Sequence, residues 1–304
     1  MPKVFVSVVN YNGKAITTSC LESLDKVSVK GLELNVVVVD NGSKDLFEIK
    51  ETYTNFKPTI IRSEYNLGFS GGQNLGIKHA LENGADYVAI LNNDVLLSED
   101  FIVELLKTFV EKKDCGLVSP KIYFAKGHEF HKDKYSESEL GKVIWYAGGK
   151  MDWKNLLAFH RGVDEVDMGQ YDNFGETEFA SGCCEMIKRE VFEKVGLFDE
   201  KYFLYYEDND LSQRAKKAGF TIYYQPKAKL WHLNAGSTGG SGSTLQDYYI
   251  TRNRLLFGFE FASFKTKLAM VRESVKLIFS GRPWQKKGAL DFYLGRFGKG
   301  SYHD

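Results

Sequence analysis

Several short stretches of this sequence combine residue types that can do chemistry. In Leu91-Asn92-Asn93-Asp94-Val95 one carboxylate sits beside two amides, directly after the apolar run Tyr87-Val88-Ala89-Ile90. Small polar residues at the C-terminal end of a buried strand are where open α/β sheets hold ligands. A single carboxylate suits a hard cation shared with substrate phosphates, because Mg²⁺ and Mn²⁺ take oxygen ligands and often use only one or two protein carboxylates. The competing reading is a strand-end turn in which Asn and Asp bond to their own backbone.

Tyr206-Glu207-Asp208-Asn209-Asp210 opens a helical pattern that stops at Gly219. Asp208, Leu211, Ala215 and Ala218 fall on one stripe, so Asp208 heads the inner face, whereas Asp210 faces out and pairs with Arg214 at i+4. At a helix N-terminus the dipole keeps a carboxylate ionised, the state a general base needs. An N-terminal cap is the plainer role. His232 ends the strand-like Lys229-Leu-Trp-His232 before the Gly/Ser run Asn234 to Ser243, a loop of the kind that orders over ligands. It suits a second metal ligand or a diphosphate contact, although a lone His is usually structural. Arg252 lies in the apolar stripe of a helix from Leu245 to Phe259. A buried guanidinium needs a partner, and either a phosphate or a structural acid supplies one.

The glycine-rich stretch Asn66-Leu-Gly-Phe-Ser-Gly-Gly-Gln-Asn-Leu-Gly76 contains neither a dinucleotide fingerprint nor a Walker motif. Glycines ahead of a helix still let backbone N–H groups approach a phosphate or sugar; a flexible turn is the alternative. Ser181-Gly182 leaves room for an acceptor or for close packing. His128 and His131, in a Lys/Glu-rich stretch, read as surface.

The elements that must carry these residues alternate. Strands are predicted at Val4 to Val9, Leu34 to Val39, Thr59 to Arg62 and Tyr87 to Leu91. Helices are predicted at Lys14 to Leu24, after Ser43, and from about Gly72 to Glu82. This alternation implies an α/β fold with a mostly parallel central sheet flanked by helices. Tyr11-Asn12, Asp40, Asn66 to Asn74 and Asn92 to Asp94 then converge on one edge of the sheet.

Composition narrows the class further. The 304 residues carry 40 Lys plus Arg against 40 Asp plus Glu, so no global charge draws the chain to nucleic acid. From Lys265 to Lys299, however, nine basic residues face two acids. Together with an amphipathic pattern from Leu268 to Phe279, that excess suits peripheral contact with an anionic membrane, or an ordinary surface helix. Cys20, Cys115, Cys183 and Cys184 form no metal-ligand spacing and are expected reduced. With no signal-peptide pattern and no run of about 18 apolar residues, the expected location is cytoplasmic, at most peripheral at the membrane's inner face.

The ordered set Val8-Val-Asn-Tyr-Asn12, Asp40-Asn-Gly-Ser43, Asn66-Leu-Gly-Phe69 to Asn74, Leu91-Asn-Asn-Asp94, Ser181-Gly182, Phe198-Asp199, Tyr206 to Asp210, Trp231-His232, Thr251-Arg-Asn-Arg254 and Asp291 to Gly298 resembles the family 2 inverting glycosyltransferases, in particular their rhamnosyltransferase-like branch. The resemblance implies a GT-A nucleotide-sugar-binding fold over residues 1–244, with a nucleotide half at about 1–119 and an acceptor half at about 120–244. Residues 245–304 then form a helical, basic extension. It further implies that Tyr11 and Asp40 hold the nucleobase and that Asp94 is the metal ligand of a DXD-type motif. Asn66, Gly68, Asn74, Asn92, Asn93 and Arg252 complete the expected donor site. Asp208 becomes the base, and His232 a further metal or diphosphate ligand. The DXD position reads Asn-Asn-Asp, which leaves one carboxylate and gives His232 more weight.

The implied cofactor is Mg²⁺ or Mn²⁺, and the implied donor is a dTDP- or UDP-sugar, with dTDP-L-rhamnose first. The implied acceptor is a hydroxyl of a glycan or lipid-linked saccharide; homo-oligomerisation stays open. Two rivals are a sugar nucleotidyltransferase and a catalytically inactive glycan-binding or assembly subunit. Asn10-Tyr-Asn-Gly-Lys14 stands where the nucleotidyltransferase would carry its basic Gly-rich loop, and retention of Asp94, Asp208 and His232 argues against the inactive subunit.

Overall fold

The computed structural model describes residues 1–49, 52–234 and 242–303. The first half alternates: β1 (Lys3–Asn10), α1 (Lys14–Leu24), β2 (Glu33–Asn41), β3 (Thr59–Ser63), α2 (Gly68–Glu82), β4 (Tyr87–Leu91), β5 (Val95–Leu97), α3 (Phe101–Glu111) and β6 (Cys115–Phe124). A strand-rich excursion follows, with β7 (Ile144–Tyr146), β8 (Gly149–Asp152), β9 (Leu157–His160) and β10 (Gly175–Glu176). Then come β11 (Cys184–Lys188), α4 (Arg189–Val195), α5 (Glu207–Lys217) and β12 (Thr221–His232). The chain ends in α6 (Thr244–Phe261), α7 (Phe264–Ser280) and α8 (Pro283–Tyr293).

One ten-stranded sheet runs β10-β12-β6-β11-β4-β1-β2-β3, with β5 on β12 and β7 on β6. Strands β3, β2, β1 and β4 are mutually parallel, as alternation predicts. β11 is the exception: it inserts between β4 and β6 antiparallel to both, after which β6 and β12, parallel to each other, resume the common direction, so six of the eight strands on this path run the same way and the sheet is mostly parallel. β6 is buried at every position, which fits a strand covered on both faces. One apolar cluster joins α1, α3 and the sheet, and a second fills the opposite face beneath α2, α4 and α5.

Two local predictions need correction. Among the described residues no helix lies between β2 and β3. The glycine-rich stretch is not a loop ahead of a helix but the first turns of α2 itself. Its glycines serve close packing: a Cβ on Gly76 would stand 2.0 Å from Ser7 Oγ on β1. The Gly/Ser run after His232 lies largely outside the described residues.

Candidate functional site

The strand tips meet at one edge, joined by side-chain hydrogen bonds. Asn10 Nδ2 donates to Asp40 Oδ1 (3.1 Å), Asn12 N to Ser43 Oγ (2.9 Å), Asn41 Nδ2 to Asn66 Oδ1 (3.2 Å) and Asn93 Nδ2 to Thr17 Oγ1 (2.9 Å). Beside this edge opens a cleft of about 850 Å³ whose wall includes Asn92, Asp94, Ser181, Gly182, Asp208 and His232. The two carboxylates that sequence reasoning singled out, 114 positions apart in the chain, therefore face one space.

Asp94 follows β4, and His232 ends β12, whose last residues pair with β5. Leu233 N donates to Asp94 O (2.8 Å), which fixes the two segments side by side. Both residues are nearly buried (8% and 7% exposed), and His232 Nε2 lies 3.1 Å from Asp94 Oδ1. That separation is an ion-pair distance, and the donor types, one carboxylate and one imidazole, are ones that can serve a divalent cation such as Mn²⁺. Among the described residues no cluster of three or more His, Cys, Asp or Glu forms a closed metal site. A cation here needs further oxygens from its substrate, the usual habit of Mg²⁺. His232 also meets Trp145 edge to face (4.9 Å), and Trp145 in turn meets His160 (4.3 Å). Burial holds the His160 imidazole down to about 4 despite its contact with the Trp145 carbonyl, so it is neutral near pH 7.

Asp208 sits in the first turn of α5. Gly182 N donates to its Oδ2 (2.9 Å), while Asn209 N (2.7 Å) and Asn209 Nδ2 (2.9 Å) donate to Oδ1. Burial raises its pKa above the ordinary aspartate value, and these donors only partly oppose the shift. Loss of hydration favours the neutral acid, whereas donated hydrogen bonds favour the carboxylate. Such a carboxylate is a stronger base than a solvated one. Behind it Glu207 is buried with Oε2 unbonded, and burial beside Asp208 pushes its pKa far up.

Other expected site residues stand elsewhere or are already engaged. Tyr11 is 43% exposed at the tip of β1. Asp40 is buried, and its two oxygens accept from Asn10, Ser43, Phe47 N and Arg62. These four donors occupy the acceptor sites of its carboxylate and order its loop. Burial opposes ionisation, yet those donors outweigh it and leave its pKa lowered. Asn66 Oδ1 also accepts from Gly68 N (2.8 Å), and Gly68, at φ +73, packs beneath the Phe203 carbonyl. Asn74 is locked to Phe198 and Glu200 away from the cleft. Asp210 is not solvent-facing: it is buried and gripped by Arg214. Arg252 is 0% exposed and donates to the carbonyls of Lys201, Tyr202 and Gly298. Neither a phosphate nor an acid is its main partner; peptide oxygens fill that place.

Sequence reasoning passed over Trp145 and His160. They come from β7 and β9 in a stretch without clear periodicity, and only the fold brings them to His232.

The sequence profile described as Glycosyl transferase family 2 matches residues 5–196. The chain belongs to that family. An N-acetylglucosaminyl-diphospho-decaprenol L-rhamnosyltransferase of Mycobacterium tuberculosis is 49% identical over 216 residues, 68% of each chain. A dTDP-rhamnosyl transferase, RfbF, of Shigella flexneri is 25% identical over 264 residues, 83% of this chain and 79% of the relative. These relatives place the chain in the rhamnosyltransferase branch. The structure of GalNAc-T7 with UDP, GalNAc and Mn²⁺ superposes with a TM-score of 0.63 at 15% identity; it covers 95% of this chain, which spans 54% of that one. The shared fold is GT-A, and this chain ends in three helices, α6 to α8.

Proposed function

We propose that the protein is an inverting glycosyltransferase. It moves a sugar from a nucleotide-sugar donor to a hydroxyl of a glycan or lipid-linked saccharide. The observation that carries this reading is that Asp208 shares one cleft with the Asp94–His232 pair. Relatives named for L-rhamnose and dTDP-rhamnose make dTDP-L-rhamnose the first donor to test, and the decaprenol relative suggests a lipid diphosphate acceptor carrying N-acetylglucosamine.

In this reading Asp94 and His232 hold the divalent cation, which when bound neutralises the departing diphosphate. Asp208 accepts the proton of the acceptor hydroxyl. The hydroxyl oxygen then bonds the anomeric carbon as the bond to the diphosphate oxygen breaks on the opposite face, so configuration inverts. Gly182 N–H and Asn209 keep the Asp208 carboxylate aimed. Residues 1–244 form the transferase domain and 245–304 a helical, basic extension. On α7 an exposed apolar stripe of Phe264, Leu268, Val275 and Phe279 runs beside exposed Lys265, Arg272 and Lys276; we assign it to an anionic membrane face presenting the acceptor.

Calorimetry of dTDP-L-rhamnose with and without Mn²⁺ tests the donor side. Mn²⁺ should strengthen binding to the unaltered protein and leave Asp94→Ala indifferent. Equal affinity in all four titrations would refute the metal role.

A further inference from the structure

The segment that delivers Asp208 to the cleft has an unusual backbone. Phe203, Tyr205 and Tyr206 have φ of 64°, 69° and 74°, and none is glycine. Bulky L-residues rarely adopt this left-handed conformation, and it persists only where surrounding contacts over-determine it. Tyr206 is the N-cap of α5 and has no side-chain cap bond; its carbonyl accepts from Asp210 N (2.8 Å) and its hydroxyl donates to Leu156 O (3.0 Å).

Further fixing comes from α6. Asn253, fully buried, shares its two Nδ2 hydrogens among the carbonyls of Tyr202 (2.8 Å), Leu204 (2.7 Å) and Tyr205 (2.9 Å). Its Oδ1 accepts from Arg252 Nε (2.9 Å), which turns the amide NH₂ toward the segment. Arg252 adds bonds to the Lys201 and Tyr202 carbonyls and ties them to the Gly298 carbonyl. On the other side Phe69 N, in the first turn of α2, donates to Phe203 O (2.7 Å), and the Phe203 ring stacks on Tyr249 (5.2 Å).

We propose that Asn253, oriented by Arg252, is a positioning residue for transfer: it holds the 203–206 segment, left-handed at Phe203, Tyr205 and Tyr206, that sets Asp208 in the cleft. The inference rests on the reading of Asp208 as base, and it places a requirement for turnover in α6, beyond the stretch matched by the family profile. Asn253 does not line the cleft. Its effect runs through backbone carbonyls that lie three to six residues before the base.

Asn253→Ala tests it, with dTDP-L-rhamnose, Mn²⁺ and an N-acetylglucosaminyl diphospholipid as the probe pair. Turnover should fall about 100-fold, the scale of a 1 Å misplacement, with donor affinity within about 3-fold, because Asp94 and His232 are not attached to the segment. The acid limb of kcat should move to lower pH as Asp208 leaves its desolvated seat. Adding Tyr205→Gly should recover part of the loss, since glycine takes a positive φ without support. Asn253→Ser, one donor for three carbonyls, should fall between, and it guards against a poorly folded Ala variant. Asp208→Asn runs alongside. If it abolishes transfer while Asn253→Ala turns over normally, the positioning role fails alone. If Asp208→Asn is itself fully active, the base reading falls and takes this role with it. A loss with an unmoved acid limb and no recovery from Tyr205→Gly would leave Asn253 merely structural and overturn the proposal.

Discussion

Asp208→Asn separates chemistry from stability because the structure fixes what each side loses. The carboxylate accepts three hydrogen bonds, one at Oδ2 from Gly182 N and two at Oδ1 from Asn209. An amide placed with its oxygen toward Asn209 keeps two of them and sets an NH₂ against the Gly182 N–H. One such conflict costs about 1–3 kcal/mol, and removal of a desolvated charge offsets part of it. At about 2–4 °C per kcal/mol the melting temperature should shift by only a few degrees. Transfer loses its proton acceptor altogether, which is worth about two to four decades in kcat, or about 2.7–5.4 kcal/mol at 1.36 kcal/mol per decade. Donor affinity should not change. The base acts when deprotonated, so wild-type kcat is present above its pKa and falls as pH drops through it. Burial places that limb above the ordinary aspartate range. In Asp208→Asn the residual rate should have no such limb. Turnover of donor and acceptor within about 3-fold of wild type, or an unchanged acid limb, would refute this reasoning.

Other outcomes follow from the same geometry. Glu185 on β11 is fully buried, neither oxygen has a hydrogen-bond partner, and burial, followed by Asp208 and Glu207, drives its pKa far above 4.5. A carboxyl with a raised folded pKa gives stability that is complete below its unfolded pKa and is lost as pH rises through the folded one. Wild-type melting temperature should therefore decline with rising pH more steeply than that of Glu185→Gln; parallel curves would dismiss the idea. Gly68→Ala forces a left-handed alanine, about 1–2 kcal/mol, and sets its Cβ 2.3 Å from the Phe203 carbonyl. Urea titration should show a loss above about 2 kcal/mol, and a change below about 0.5 kcal/mol would show that the segment yields freely. Sedimentation with anionic liposomes should be salt-sensitive and should weaken when Phe264 and Phe279 become Ser; no sedimentation of the unaltered chain at low salt would remove the membrane assignment.

What the sequence determined by itself was the local pattern and its consequences. Apolar runs and helical spacing marked β1, α1, β2, β4 and the start of α5, because burial of one face imposes those periods whatever the neighbours are. Strand-tip logic brought Asp94 to the sheet's edge, and the family resemblance joined Asp208 and His232 to it; the structure sets all three on one cleft. Tertiary structure decided the rest through partners remote in the chain. Asp40 meets Arg62, Asn74 meets Phe198, and Arg252 meets Lys201 and Gly298; each contact spends the polar group on the fold. A sequence shows that a buried polar side chain needs a partner, but not whether a ligand or a distant peptide supplies it. The antiparallel direction of β11 and the Trp145–His160 wall were hidden for the same reason, since pairing and packing across the sheet leave no periodic trace in either segment alone.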